Sequence, residues 1–413
     1  KGMGSVLPID CLRVIDLSRV VAMPYATAML ADLGAEVVKV EACHLPDSRV
    51  ANSAFPNNHP GSLFWERSGV FHTLNRGKRS LTLDLRKDRG IEILNQLIGV
   101  SDILIENYTP IVSRRFGLDY PSLKKLKPDL IVLSNTGYGN TGPWSSYGAV
   151  ASTIEYTHGT GTYTGYDQSP SKIGNSFTDC ISTWTALFSI MAALLHRAKT
   201  GRGLWIDLSM YQIGASFMGE GLLEYAFNAG NERVRGNRHP QFSPHGCYPC
   251  DGDDEWVVLM IQNETQWKDL CGIMGKPDMV GDRHLSNPVD RYKNQDKIDL
   301  IIRQWTRGLN KYEVMEILQD RGIACGPVLK TRDMFLDDQF RLRRFFTGIN
   351  HKKDTQLGKR YYTSKGWRMS RERKKIHRPG PRLGEDNSYI LKQLLGFDSK
   401  VIREFKKDCV IGR

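Results

Sequence analysis

Of the side chains able to do chemistry, Asp179 is the most informative. It follows Gly174-Asn-Ser-Phe-Thr and opens an apolar helical pattern from Ile181 to Leu195, which closes on His196, Arg197 and Lys199 before Gly201. Cations followed by glycine suit a helix C-terminus, so the spacing predicts a long helix with Asp179 at its start. Two roles fit an aspartate there. It can serve as an N-cap, worth ~1 kcal/mol, and Asp is a common cap. It can also be a carboxylate held ionised by the positive end of the helix and aimed at a loop-lined cleft. A carboxylate nucleophile needs no general base. The residues alone leave both roles open, and capping is the commoner one.

Other chemistry-bearing patterns are weaker. Gly137-Tyr-Gly-Asn-Thr-Gly142 matches the dinucleotide fingerprint, but Pro143 and Trp144 follow it where a phosphate-binding helix should begin. A tight turn is the better reading. Cys247-Tyr-Pro-Cys250, with His239 and His245 upstream, lacks the second ligand pair of a zinc site. It reads as two partly buried thiols near a hairpin, and no metal is expected. The ten histidines form no H-E-x-x-H pair and no G-x-S-x-G is present, so zinc-protease and α/β-hydrolase signatures are missing.

The elements that must position these residues alternate. Strand patterns occur at Arg13-Val-Ile-Asp-Leu-Ser18, Glu36-Val-Val-Lys-Val-Glu41, Ser80-Leu-Thr-Leu-Asp-Leu85, Asp102-Ile-Leu-Ile-Glu106 and Leu130-Ile-Val-Leu-Ser134. Helical patterns separate them, one starting at Pro24 and stopping at Gly34, another over residues 90–100. This alternation predicts an α/β fold: a large Rossmann-like domain with a mostly parallel sheet. Ligands of such sheets bind outside the carboxyl ends of the strands, which points to the segments after Ser18, Glu106 and Ser134. A smaller α+β domain is expected over residues 245–325, between a first large-domain part at 1–215 and a linker and return at 330–413. A final helix is expected over residues 388–395.

Composition sets the outer bounds. Of 413 residues, 40% are hydrophobic and 25% charged, which excludes intrinsic disorder. The run from Ile181 to Leu195 is interrupted by Ser and Thr and is shorter than the ~20 residues of a membrane span, so no membrane association is expected. The first residues show no secretory signal pattern and the eight cysteines are scattered, which together predict a cytoplasmic protein with reduced thiols. Net charge is +12, and residues 341–380 hold 14 basic and 2 acidic residues, so the excess belongs to that segment. The run Arg371-Glu-Arg-Lys-Lys there could meet a polyanion. No nucleic-acid motif accompanies it, so a solvated surface is the expectation and nucleic acid is not an expected partner.

Read together, the segments resemble the class III CoA-transferase family, which includes formyl-CoA transferase and L-carnitine CoA-transferase. The resemblance rests on Val14-Ile-Asp-Leu-Ser18, residues 31–41, Asn75-Arg-Gly-Lys-Arg-Ser-Leu-Thr-Leu-Asp84, Glu106-Asn-Tyr108, Arg115-Phe-Gly-Leu118, the glycine turn through Pro143, residues 196–203, Cys325-Gly-Pro-Val328 and Leu383-Gly-Glu385. These occur in family order along nearly the whole chain. The resemblance implies that Asp179 is the catalytic aspartate, passing through an acyl–aspartyl anhydride and an aspartyl-CoA thioester. It implies a CoA thioester as substrate, with no tightly bound cofactor. It places CoA along Val21, Ala22, Asn75, Arg76, Gly77, Lys78, Asn107, Tyr108 and Arg115, with Tyr147 close by. It further implies an interlocked homodimer, a heterodimer with a paralogous subunit being the alternative.

Three departures bear on the substrate. Val21 stands where formyl-CoA transferase has glutamine, and Val150 where a carboxylate is common. The glycine-rich lid aligns with the bulkier Pro240-Gln-Phe-Ser243, making Gln241 and Phe242 the expected lid residues. Similarity over residues 247–267, with Trp256 and Trp267, looks closer to relatives acting on succinate and aryl-succinate acids. The implied reaction is CoA transfer from a donor such as succinyl-CoA to a carboxylic acid larger than formate. The related racemases pair their aspartate with a histidine that would align at Gly148-Ala149-Val150, where none exists.

Overall fold

The computed structural model describes residues 7–44, 49–50, 54–166, 169–174, 176–230, 234–370 and 378–412. The basic run at 371–375 and the lid-proximal residues 231–233 lie outside these. Within them the chain forms two units, one of residues 1–161, 172–231 and 341–413, the other of residues 162–171 and 232–340.

The larger unit is built on six parallel strands: β1 (Arg13–Asp16), β2 (Glu36–Glu41), β3 (Arg79–Thr82), β4 (Ile103–Glu106), β5 (Ile131–Thr136) and β6 (Trp205–Ser209). Their spatial order is β3-β2-β1-β4-β5-β6. The central strands are apolar on both sides, as a sheet covered on both faces requires. Val14, Ile103, Ile105, Ile131 and Leu133 face one core, while Ile15, Leu104 and Val132 face the other, as the two-residue period dictates. Each such side chain contributes roughly 1.5–3 kcal/mol on burial.

The helices of this unit up to β6 and just beyond are α1 (Ala22–Asp32), α2 (Gly69–Leu74), α3 (Asp88–Gly99), α4 (Pro110–Arg115), α5 (Tyr120–Leu126), α6 (Ala151–Thr157), α7 (Thr160–Tyr163, which extends into the smaller unit), α8 (Phe177–Thr200) and α9 (Met210–Ser216). Helices α1 and α8 cover the first face, with Ala26, Met29, Ala186, Ile190 and Ala193 in its core. Helix α3, the short helix Tyr389–Leu394 and the terminal helix Ser399–Lys407 cover the second. Helix α1 begins two residues before the Pro24 expected at its first position and ends, as expected, before Gly34, whose φ of +115° suits glycine. Helix α8 has 24 residues and enough apolarity to cross a bilayer by length alone; its Ala186 and Ile190 instead pack in the core beside the sheet. Strands β10 (Phe346–Asn350) and β11 (Lys359–Thr363) form an antiparallel hairpin inside the basic segment, a feature the charge run concealed.

In the smaller unit, β7 (His245–Pro249), β8 (Trp256–Met260) and β9 (Ala324–Pro327) make an antiparallel sheet. Helices Glu264–Ile273, Gln295–Thr306 and Lys311–Gln319 share its core through Leu270, Ile298, Ile302, Val314 and Leu318. Trp267, expected near a substrate, lies in that core with the Arg291 guanidinium 5.1 Å from its ring, so it packs rather than recognises. Cys247 and Cys250 flank the end of β7 as free thiols. Burial pushes Cys250 up to about 11.

Candidate active site

The strand order reverses between β1 and β4, because the chain runs outward from β1 through β2 to β3 and then returns to the other side. A crevice at the carboxyl ends of these two strands follows from that topology. The loop after β1, Ser18 to Val21, and the loop after β4, Asn107 to Thr109, form its walls. One side chain ties them together: Asn107 accepts from the Arg19 N–H at 2.8 Å and donates to the Arg19 carbonyl at 2.8 Å.

That pairing holds an unusual backbone. Val20 has φ of +69° and is 57% exposed. A β-branched residue in the left-handed region is a true outlier, costing of order 1–3 kcal/mol. The next two residues lead into α1, and the Ala22 N–H favours the charged form of the Asp179 carboxylate. The Ala22 carbonyl is fixed as well, accepting from Thr183 Oγ1 at 2.7 Å. Ala22 is therefore tied through its carbonyl to the second turn of α8.

Asp179 is not the cap of α8. The helix starts at Phe177 after Ser176, which places Asp179 at its third position. The capping role fails on this geometry. The expectation of a firmly ionised carboxylate needs adjustment too. At 8% exposure, burial pushes the Asp179 carboxyl up to about 6, against the Ala22 N–H and the Ser176 hydroxyl that favour the charge. At neutral pH it is mostly ionised and poorly solvated, which suits a nucleophile.

The other residues expected to hold CoA divide into two groups. Val21, Asn107 and Tyr108 are half-buried on the crevice loops, and Ala22, the first residue of α1, is buried. Arg115 is exposed in α4, and Tyr147 is exposed in a cluster of rings with Tyr138 and Trp144. Gly77 is half-buried at φ +78°. A groove lined by Ser18, Arg19, Val20, Lys39, Phe71 and Asn75 adjoins the β1 loop. Arg76 and Lys78 need correction as direct phosphate ligands, because both are fully buried. Arg76 pairs with Asp32 at 2.6 Å. Lys78 donates to Asp16 at 2.8 Å, to the Pro24 carbonyl at 2.8 Å and to Asn75 Oδ1 at 2.7 Å. Burial works to raise the Asp16 carboxyl, but Lys39 and Lys78 outweigh it and hold Asp16 well below the carboxylate range. Lys78 thus braces the start of α1 from inside, and Arg76 its end. Gln241 and Phe242 belong to the smaller unit, where Phe242 stacks on His239 at 4.7 Å.

Sequence reasoning missed several participants. Thr183 and Ser176 gave no signal beyond being polar in an apolar helix and its approach. Glu106, which ends an apolar strand pattern, is completely buried, and burial pushes its carboxyl up to about 7. One of its oxygens accepts from the Tyr108 N–H at 2.7 Å, which shapes the β4 loop. No imidazole stands at Val150, which is an exposed residue preceding α6, and the nearby His158 bonds Thr160 and Thr178 rather than Asp179.

The fold and this crevice define an α/β protein with a buried carboxylate beside the switch point of a parallel sheet. Comparison with known proteins gives the family. Residues 9–387 match the model of CoA-transferase family III. The chain is 30% identical over 391 residues to the succinate–glutarate CoA-transferase of Agrobacterium fabrum, covering 94% of this chain and 96% of that one. It is 28% identical to the beta subunit of the succinyl-CoA–L-malate CoA-transferase of Chloroflexus aurantiacus, over 99% of this chain and 100% of that one. The crystal structure of a CaiB/BaiF family protein from Brucella suis superposes with a TM-score of 0.82 at 28% identity, over 94% of this chain and 99% of that one. The chain belongs to CoA-transferase family III and is an enzyme of that class.

Proposed function

We propose that the protein moves CoA from succinyl-CoA to a small carboxylic acid, with Asp179 as the covalent carrier. The relatives named for glutarate and L-malate support a succinyl donor and a dicarboxylate acceptor. The observation that carries the reading is the buried Asp179 carboxylate at the start of α8, whose first turns are tied by Thr183 to Ala22 just beyond the loop after β1.

The chemistry balances without an external base. A carboxylate oxygen of Asp179 attacks the donor thioester carbonyl, the C–S bond breaks, and CoA leaves as its thiolate. The thiolate attacks the Asp179 carbonyl of the anhydride and releases succinate, leaving aspartyl-CoA thioester. The acceptor carboxylate attacks that thioester, giving a new anhydride and thiolate. A final thiolate attack on the acceptor's acyl carbon releases the product thioester and restores Asp179. Thr183 fixes Ala22 through its carbonyl, and the Ala22 N–H on the other side of that residue is the donor for the oxyanion that forms on the Asp179 carbonyl. Poor solvation of the carboxylate favours attack, and exclusion of water protects the anhydride.

CoA lies along Val21, Ala22, Asn107, Tyr108 and Arg115, with Arg115 supplying an accessible cation for a phosphate. The functional molecule is a dimer. Trp184, Phe188, Met191 and Leu195 form an exposed apolar stripe at helical spacing along α8, and Phe188 is 76% exposed. Such a stripe calls for a covering surface, and a second copy supplies it. The test uses the purified chain alone with succinyl-CoA and glutarate, L-malate, citramalate or mesaconate. Formation of the acceptor's CoA ester supports the reading. Absence of transfer to every acid overturns it.

A further inference from the structure

Helix α6 faces the approach to Asp179 with two side chains that the reaction itself does not use. Glu155 is buried, and its carboxylate accepts from the Ile173 N–H at 2.6 Å. His158, one turn later, follows the last residue of α6 and is also buried. Glu155 thus holds the segment leading into α8, while His158 reaches the first turn of α8 itself.

The His158 ring is fixed on both sides. Its Nδ1 lies 2.9 Å from Thr160 Oγ1, and its Nε2 lies 3.3 Å from Thr178 Oγ1. Thr160 Oγ1 donates onward to Met218 Sδ at 3.3 Å. In either tautomer one ring nitrogen donates and the other accepts, so both contacts are kept. The seat for the ring exists because residue 214 is glycine. A Cβ there would lie 2.0 Å from His158 Cδ2 and 2.4 Å from Cγ. Gly214 occupies the interior of α9, where glycine costs about 1 kcal/mol relative to alanine, so the local structure gives up helix stability to admit an imidazole.

Thr178 is completely buried and immediately precedes Asp179. We propose that His158 is a positioning residue: by holding the Thr178 hydroxyl it sets the rotation of the first turn of α8, and with it the direction of the Asp179 carboxylate toward the thioester. The proposal rests on Asp179 being the nucleophile. Small errors suffice to matter, since a displacement of ~1 Å at a reacting group can cost ~100-fold in rate.

The experiment measures the single-turnover rate of covalent adduct formation on Asp179 from succinyl-CoA, together with kcat and KM, for wild type, His158→Ala, His158→Gln, Thr178→Val, Gly214→Ala and the His158→Ala/Thr178→Val pair. His158→Ala and Gly214→Ala should slow adduct formation and kcat by about 10- to 100-fold with KM for succinyl-CoA within about twofold. Thr178→Val, which preserves volume, should share most of that loss. His158→Gln, whose amide can donate to or accept from Thr178, should recover much of it. The paired variant should be no slower than His158→Ala, because both changes break one contact. Wild-type rates in Thr178→Val, additive losses in the pair, or a lower melting temperature with unchanged kcat each overturn the proposal. If wild type itself forms no adduct on Asp179, the nucleophile reading fails and this inference falls with it.

Discussion

Replacing Asp179 by asparagine should abolish turnover and make the protein more stable at neutral pH. Burial raises the carboxyl from 3.8 to about 6, so the folded chain holds a proton there that the unfolded chain has released. Between those two values the folded state binds more protons than the unfolded one. The stability that the protonated carboxyl contributes is therefore complete below about pH 3.8 and lost as pH rises through about 6. That rise from 3.8 to about 6 corresponds to at most about 3 kcal/mol, because the carboxylate keeps some contact with solvent. Asparagine fits the same space, retains an acceptor for the Ala22 N–H and carries no charge. Urea unfolding of wild type and Asp179→Asn at fixed protein concentration, from pH 4 to pH 8, provides the assay. Comparison at each pH cancels every other titration. The variant should gain up to about 3 kcal/mol at pH 7.5, and the gain should shrink towards pH 4. A variant no more stable than wild type at pH 7.5 would refute the idea of a carboxylate kept poorly solvated for reaction.

Adduct formation should rise with pH as Asp179 ionises, with a midpoint of about 6 and about a tenfold increase from pH 5 to pH 7; a rate already maximal at pH 4.5 would contradict this. Asn107→Ala removes both hydrogen bonds to the Arg19 backbone. It should lower stability by about 1–3 kcal/mol and raise KM for succinyl-CoA, measured by denaturant unfolding and steady-state kinetics. His72 and His351 sit with ring centres 4.5 Å apart, and burial lowers both to about 4. Each is held neutral in the folded state, so their contribution is present above about pH 6.5 and lost as pH falls through about 4. For the buried His72 that loss is about 3 kcal/mol, and urea midpoints of His72→Gln should depend less on pH in that window than those of wild type.

The parallel sheet was legible because β1, β2, β4 and β5 are apolar on both faces and are separated by helical patterns. Strand β6 escaped notice because it lies at the edge, where Trp205 and Asp207 are exposed and the apolar run is broken. Helix α6 was hidden by its composition, Ala-Ser-Thr-Ile-Glu-Tyr-Thr, which is short and rich in poor helix formers. At the site, Asp179 was visible by its place before an apolar helix, and the switch-point loops by their place after strands. Lys78 and Arg76 could not be read correctly from sequence. Cations are usually exposed, and only the fold brings Asp16 and Asp32 against these two. Val20 was equally silent, since nothing in a valine announces a left-handed backbone. The seat of His158 depends on Gly214, 56 positions away in the chain, a contact that no local pattern encodes.

The central claim is that Asp179 becomes covalently attached to CoA during turnover. The direct measurement is peptide mass spectrometry after incubating the enzyme with succinyl-CoA and quenching with hydroxylamine, which converts an aspartyl thioester to a hydroxamate and frees CoA. The expected result is a hydroxamate on the peptide containing Asp179, dependent on succinyl-CoA and missing from Asp179→Ala. Active enzyme that leaves Asp179 unmodified, or carries the modification on another side chain, would contradict the account.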